Sequence, residues 1–146
     1  MARPWCSAPT EDSNKEPQQK GLIQAALQLV DSPAQLQLLH VMEPLETMSP
    51  GVITGNVTDE VRTQRVTEAL TRLATDHGAG GAQIAVAIGT PGLAIADYAA
   101  AHATELILIP SHGYHGVKRL FLGSVAERVL RHAPCNVFVL RRSDAE

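Results

Sequence analysis

The stretch from Leu106 to Arg141, LILIPSHGYHGVKRLFLGSVAERVLRHAPCNVFVLR, constrains the fold more than any other part of the chain. It reads as an apolar run, a glycine-punctuated loop, a helix and a second apolar run. Leu106 to Ile109 is short, uninterrupted and partly β-branched, as expected of a strand covered on both faces. The loop carries Gly113, Gly116 and Gly123. Ser124 with Glu127 three positions later has the S-x-x-E pattern of a capping box, which predicts a helix starting there. Val125, Ala126, Val129 and Leu130 fall on one apolar face. Ala133-Pro134 stops the helix, and Asn136 to Leu140 supplies the second strand. Strand, glycine loop, helix, strand is a βαβ unit. Its loop brings free backbone N–H groups to a helix N-terminus, a setting that attracts phosphate.

Upstream of this unit the same alternation recurs. Pro17 suits a first helical turn, and Leu22, Ile23, Ala26, Leu27 and Val30 recur at helical spacing, predicting a helix from Pro17 to Val30. Gln35 to Val41 reads as a strand with His40 inside it, where a lone histidine is more often structural than a ligand. Residues 42–57 form a long loop with two prolines and two glycines. A second helix follows, capped by Asn56 or Thr58, with Val61, Val66, Ala69, Leu70, Leu73 and Ala74 as its stripe, and Gly78, Gly80 and Gly81 end it. Gln83 to Ile88 is a strand. Thr90-Pro91 then opens a helix running to His102, with Leu93, Ile95, Ala96, Ala99 and Ala100 inward and Asp97 in solvent.

Helices alternating with strands give an open α/β sheet of mostly parallel strands with helices on both faces. Ligands in such sheets bind beyond the carboxyl ends of the strands, where the strand order reverses. The first twenty residues, MARPWCSAPTEDSNKEPQQK, are the exception: they are too polar for a good central strand. A short, poor strand from Arg3 to Ala8 is the reading adopted, in a weakly structured start to residues 1–20.

The 146 residues fit one domain, spanning 1–146. A net charge of −3 argues against a nucleic-acid surface. Lys118, Arg119, Arg128, Arg131, Arg141 and Arg142 make a local basic patch whose plain reading is a solvated face and tail. No stretch approaches the roughly 20 apolar residues that span a membrane. Nor is there an apolar core for a signal peptide. Cys6 and Cys135 fit no metal spacing, so reduced thiols in a cytoplasmic protein are expected.

The segment built on Gly113 and Gly123-Ser124, with nine residues between, resembles the C-terminal signature of the universal stress protein family, G-x-x-G, nine residues, then G-[S/T]. Where the family has its first glycine, this chain has Pro110. The resemblance implies a single five-stranded sheet of order 3-2-1-4-5. It implies a binding edge between the first and fourth strands, and ATP or another adenine nucleotide as ligand, with Mg accompanying the nucleotide and no other metal. The implied site is Pro9, Glu11, Val41, Pro110, Gly113, Gly123, Ser124 and Val125. In it, Glu11 stands where the family's adenine-contacting Asp falls and Val41 borders the adenine. The resemblance also implies a homodimer joined through Asn136 to Leu140.

Two readings of the glycine loop stay open: a phosphate cradle formed by Gly113, Gly123, Ser124 and Val125, or glycines that serve loop geometry alone. No G-x-x-x-x-G-K-[S/T] occurs, so this is no P-loop ATPase. His112 and His115 lack further ligands at zinc spacing, and Ser111 and Ser124 lack a nucleophile elbow, so no catalytic constellation emerges. Pro110 offers no N–H, and Glu11 carries an extra methylene relative to Asp. Weak adenine-nucleotide binding, held mainly through phosphates, in a stress-signalling or binding module is therefore expected. The alternative is a dimer of the same fold that binds a protein partner, of unknown identity, and no nucleotide.

Overall fold

The computed structural model describes residues 4–7, 16–45, 58–111 and 122–141, with residues 4–7 and 16–18 described through their backbone only. Among the described residues five strands and four α-helices alternate: β1 (Pro4–Ser7), α1 (Glu16–Leu27), β2 (Gln37–Met42), α2 (Asp59–Asp76), β3 (Gln83–Ile88), α3 (Pro91–Ala101), β4 (Leu106–Pro110), α4 (Ser124–His132) and β5 (Asn136–Leu140). This is the α/β class with parallel strands that the sequence predicts.

β2 pairs with β3 in parallel from Gln37↔Gln83 to Met42↔Ile88, and β4 pairs with β5 from Leu106↔Asn136 to Pro110↔Leu140. Between these two pairs lies the four-residue β1, matched with Gln37 to Leu39 on one side and Leu106 to Leu108 on the other. The resulting order is β3-β2-β1-β4-β5. Continuity between the halves depends on that short joint.

Two apolar clusters flank the sheet. Leu22, Ile23 and Ala26 of α1 and Ala74 of α2 pack with Leu36, Leu38 and Leu108 on one face. Ile95 and Ala99 of α3 and Ala126 and Val129 of α4 pack with Leu39, Ile107 and Ile109 on the other. Alternate residues of β2 and β4 thus feed opposite cores, which is why both strands read as unbroken apolar runs. Truncating a fully buried Leu39 or Ile107 to Ala should cost about 2–5 kcal/mol.

Several boundaries and faces differ from the sequence reading. β2 begins at Gln37 because Gln35 belongs to a short 3-10 turn, Pro33–Gln35. There the Ser32 Oγ accepts from the Ala34 N–H at 3.3 Å while Gln35 Oε1 accepts from the Ser32 N–H at 3.2 Å, a reciprocal cap. α1 stops at Leu27, where Gln28 and Leu29 tighten onto the carbonyls of Ala25 and Ala26. Thr58, rather than Asn56, caps α2 by accepting from the Val61 N–H at 3.3 Å. That helix ends in a left-handed Gly78 at φ +81°, with the Ala79 N–H bonded to the Ala74 carbonyl at 2.7 Å. Only its last turns are buried: Leu70 and Ala74 are inside, whereas Val61 and Ala69 face solvent. On α3, Leu93 and Ala100 are exposed, and Thr90 holds the cap position without a side-chain bond.

Candidate functional site

The carboxyl ends of β1, β2 and β4 lie on one edge of the sheet, at Ser7, Met42 and Pro110. Strand order reverses between β1 and β4, since the chain leaves β1 toward β2 on one side and enters β4 on the other. Pro110 is the last residue of β4. The next residue, Ser111, donates its N–H to the Leu140 carbonyl of β5 at 2.8 Å. Successive residues of an extended strand turn their N–H groups to opposite sides, so the Pro110 nitrogen points away from β5, toward the reversal crevice. A glycine there would offer a donor to a ligand; proline offers none. The same geometry explains why proline is tolerated, because the ladder with β5 needs no N–H from that position.

α4 begins beside this edge. Gly123, with extended dihedrals of φ −60° and ψ 153°, occupies the N-cap, and Ser124 is the first helical residue. The capping box expected from Ser124 and Glu127 therefore does not form. Glu127 instead pairs with Arg131 at 2.8 Å, and its N–H closes the first turn on the Gly123 carbonyl at 2.9 Å. The N–H groups of Ser124, Val125 and Ala126 have no intrahelical acceptor, as in any first turn, and among the described residues no side chain caps them. They and the aligned helix dipole leave this end suited to an anion.

Of the remaining expected site residues, Val41 is half-buried and packs on the same cluster as Val125, so both lie on the α3–α4 face of the sheet. Pro9, Glu11 and Gly113 lie outside the described residues, as do His112, His115, Lys118, Arg119 and Arg142. The described ones, Val41, Pro110, Gly123, Ser124 and Val125, belong to elements whose ends lie toward the carboxyl edge of the sheet.

Two polar features were not legible as a unit in the sequence. At the amino edge of the sheet, the buried Gln37 donates through Nε2 to the Tyr98 hydroxyl at 2.6 Å, and Tyr98 stacks on His102 with ring centroids 3.6 Å apart. Burial pushes the Tyr98 phenol up from its ordinary value, and the bond from Gln37 partly opposes that. This cluster stands at the end of the sheet away from the crevice and has a structural role. The second feature is Arg128, whose stem lies against Gly92 of α3. The available signal was a glycine in a helix's first turns, where alanine is the cheaper residue. Cys135 is half-buried with its thiol pushed up by burial, so it is no ready nucleophile.

An open parallel α/β domain with its strand order reversing beside an uncapped helix N-terminus belongs to the class that takes ligands at the carboxyl edge of the sheet. The sequence model of the Universal stress protein family matches residues 12–141, and the chain belongs to that family. Universal stress protein A homolog 2 of Coxiella burnetii is 29% identical over 110 residues, 74% of this chain and 75% of the relative. Among solved structures, the universal stress protein UspA of Lactobacillus plantarum superposes with a TM-score of 0.64 at 20% identity, covering 97% of this chain and 99% of that one. A universal stress protein family protein of Arabidopsis thaliana, solved with AMP bound, gives 0.63 at 16% identity over 99% and 94% of the two chains. At such identities the superpositions speak for the fold alone.

Proposed function

We propose that this chain is a small-molecule-binding module of the stress response that binds adenine nucleotide weakly and chiefly through its phosphates. The frame adopted is one five-stranded sheet joined through β1, with the ligand at the β1–β4 crevice. The observation that carries the reading is the first turn of α4, where the N–H groups of Ser124 and Val125 have no intrahelical acceptor and no cap from Gly123, beside the reversal edge. Family membership and the AMP held by the Arabidopsis relative favour an adenine nucleotide over other anions. Pro110 argues for weakness at the nucleoside end, because it withholds the donor that a glycine would supply. Glu11, Pro9 and Gly113 complete the proposed site, with Mg accompanying the nucleotide. We place the protein in the cytoplasm; among the described residues no helix is long and apolar enough to cross a membrane.

A thermal-shift titration tests the reading, because a ligand binding only the native state raises apparent stability, by about 2.7 kcal/mol at a hundred times its Kd. ATP should raise the midpoint more than AMP, and adenosine least. Pro110→Gly should enlarge the ATP shift. Equal shifts from ATP and adenosine would refute a phosphate-led site. A second reading, a protein-binding homodimer that takes no nucleotide, draws on the exposed Phe138 of the edge strand β5.

A further inference from the structure

The carboxyl end of β2 overhangs its neighbour. β1 pairs with β2 no further than Ser7↔Leu39, whereas β3 follows β2 to Met42↔Ile88. Among the described strands, His40, Val41 and Met42 are therefore laddered on one side only. The Gly89 N–H closes that side by donating to the Met42 carbonyl at 2.9 Å. One residue further on, the Glu43 carbonyl accepts from Arg62 Nη2 at 3.0 Å, a contact that spans 19 positions and ties the strand end to the start of α2. The other terminal nitrogen of the half-buried Arg62, Nη1, pairs with Asp59 at 3.0 Å. A cation in the opening turns of a helix stands at the wrong end of the dipole, so helix stability alone gives no reason for an arginine there. Asp59 offsets that charge and aims the guanidinium, whose fixed fork serves both acceptors at once.

We propose that Arg62 is a positioning residue for the nucleoside side of the ligand site: it holds the carboxyl end of β2, and Val41 with it, in the place where a nucleoside arrives. The proposal rests on the reading of α4 as the phosphate end. With phosphates there, the rest of the ligand crosses β1 toward β2, since β1 lies between β4 and β2. What it meets is the overhanging strand end that Arg62 secures. A strand end fixed before binding does not have to be ordered by the ligand, so affinity is not reduced by that ordering. Arg62 touches no ligand in this scheme; it acts through the Glu43 carbonyl. A bare phosphate chain on the α4 side of β1 gains nothing from the latch. Arg62 therefore favours ligands that carry a nucleoside.

Hydrogen exchange on the free protein, and calorimetric titration with ATP, AMP and tripolyphosphate, test this on wild type, Arg62→Met and Arg72→Met. Arg62→Met keeps an apolar stem and removes the fork. In the free protein it should speed exchange of the Gly89 amide about tenfold, the size of one lost hydrogen bond to a charged group. The Ala79 and Thr104 amides, bonded to the Ala74 and Ala99 carbonyls, should exchange as in wild type. ATP and AMP should each bind about fivefold more weakly, within the range for a residue that acts without touching the ligand, and tripolyphosphate should bind as before. Arg72→Met removes the same charge from an exposed position of α2 and should change neither readout. Unaltered exchange at Gly89 in Arg62→Met, or equal acceleration at all three amides, overturns the latch. Unchanged ATP and AMP affinity, or equal weakening of tripolyphosphate, overturns the nucleoside role and leaves the phosphate reading of α4 standing. Wild type that binds none of the three ligands overturns that reading and this role with it, even where Gly89 responds as expected.

Discussion

Ser124 shows how much turns on one position at a helix start. The sequence pattern assigns it the cap, but the extended dihedrals of Gly123 move the cap back by one residue, and among the described residues the Ser124 hydroxyl makes no capping bond. Lost side-chain caps usually cost about 1 kcal/mol. Here Ser124→Ala should change stability by less than about 0.5 kcal/mol, the range of surface substitutions, while weakening ATP binding. Urea midpoints of the two proteins, read beside their ATP titrations, check this separation. A stability loss near 1 kcal/mol would mean that the hydroxyl caps the helix after all. Pro110 is the counterpart at the proposed nucleoside end. Its effect follows from a missing donor and was readable from the residue type, although the direction in which that donor would have pointed needed the β4–β5 register.

At the scale of elements, β5 carries the next expectation. Val137 and Val139 turn toward the α3–α4 core, and Phe138, 52% exposed, turns outward on an edge strand. An edge with unpaired backbone groups and an exposed aromatic ring invites a second copy. We propose a homodimer through Asn136–Leu140. Charges at Val137 or Val139 would damage the core, so Phe138→Glu is the cleaner probe. Light scattering at micromolar concentration should give a dimer for wild type and a monomer for Phe138→Glu; a monomeric wild type would sink the idea. The elements themselves were largely legible. Gln83–Ile88 and the start of α3 at Pro91 follow from an apolar run and a proline, signals local to the residues concerned. Misplaced faces arose where tertiary reach decides burial, as for Leu130, which has helical spacing yet is 46% exposed because β5, beneath α4, is the last strand of the sheet.

For the whole molecule, the fold class was written in the alternation of strands and helices, because each period is a property of short windows. The site was legible only in part. Gly123, Ser124 and Val125 announce themselves as a glycine followed by a helix start, but the packing of Arg128 against Gly92 joins residues of two helices and leaves no local pattern. The central claim is that anions bind at the first turn of α4, on the carboxyl edge of the sheet. Backbone amide shifts in a ¹⁵N-labelled sample, followed while ATP is added, test it most directly. The account predicts that the largest perturbations fall on Gly123, Ser124, Val125 and Ala126, with Gln37 and Thr104 at the amino edge unmoved. Perturbations centred on the amino edge, or none at millimolar ATP, would contradict it.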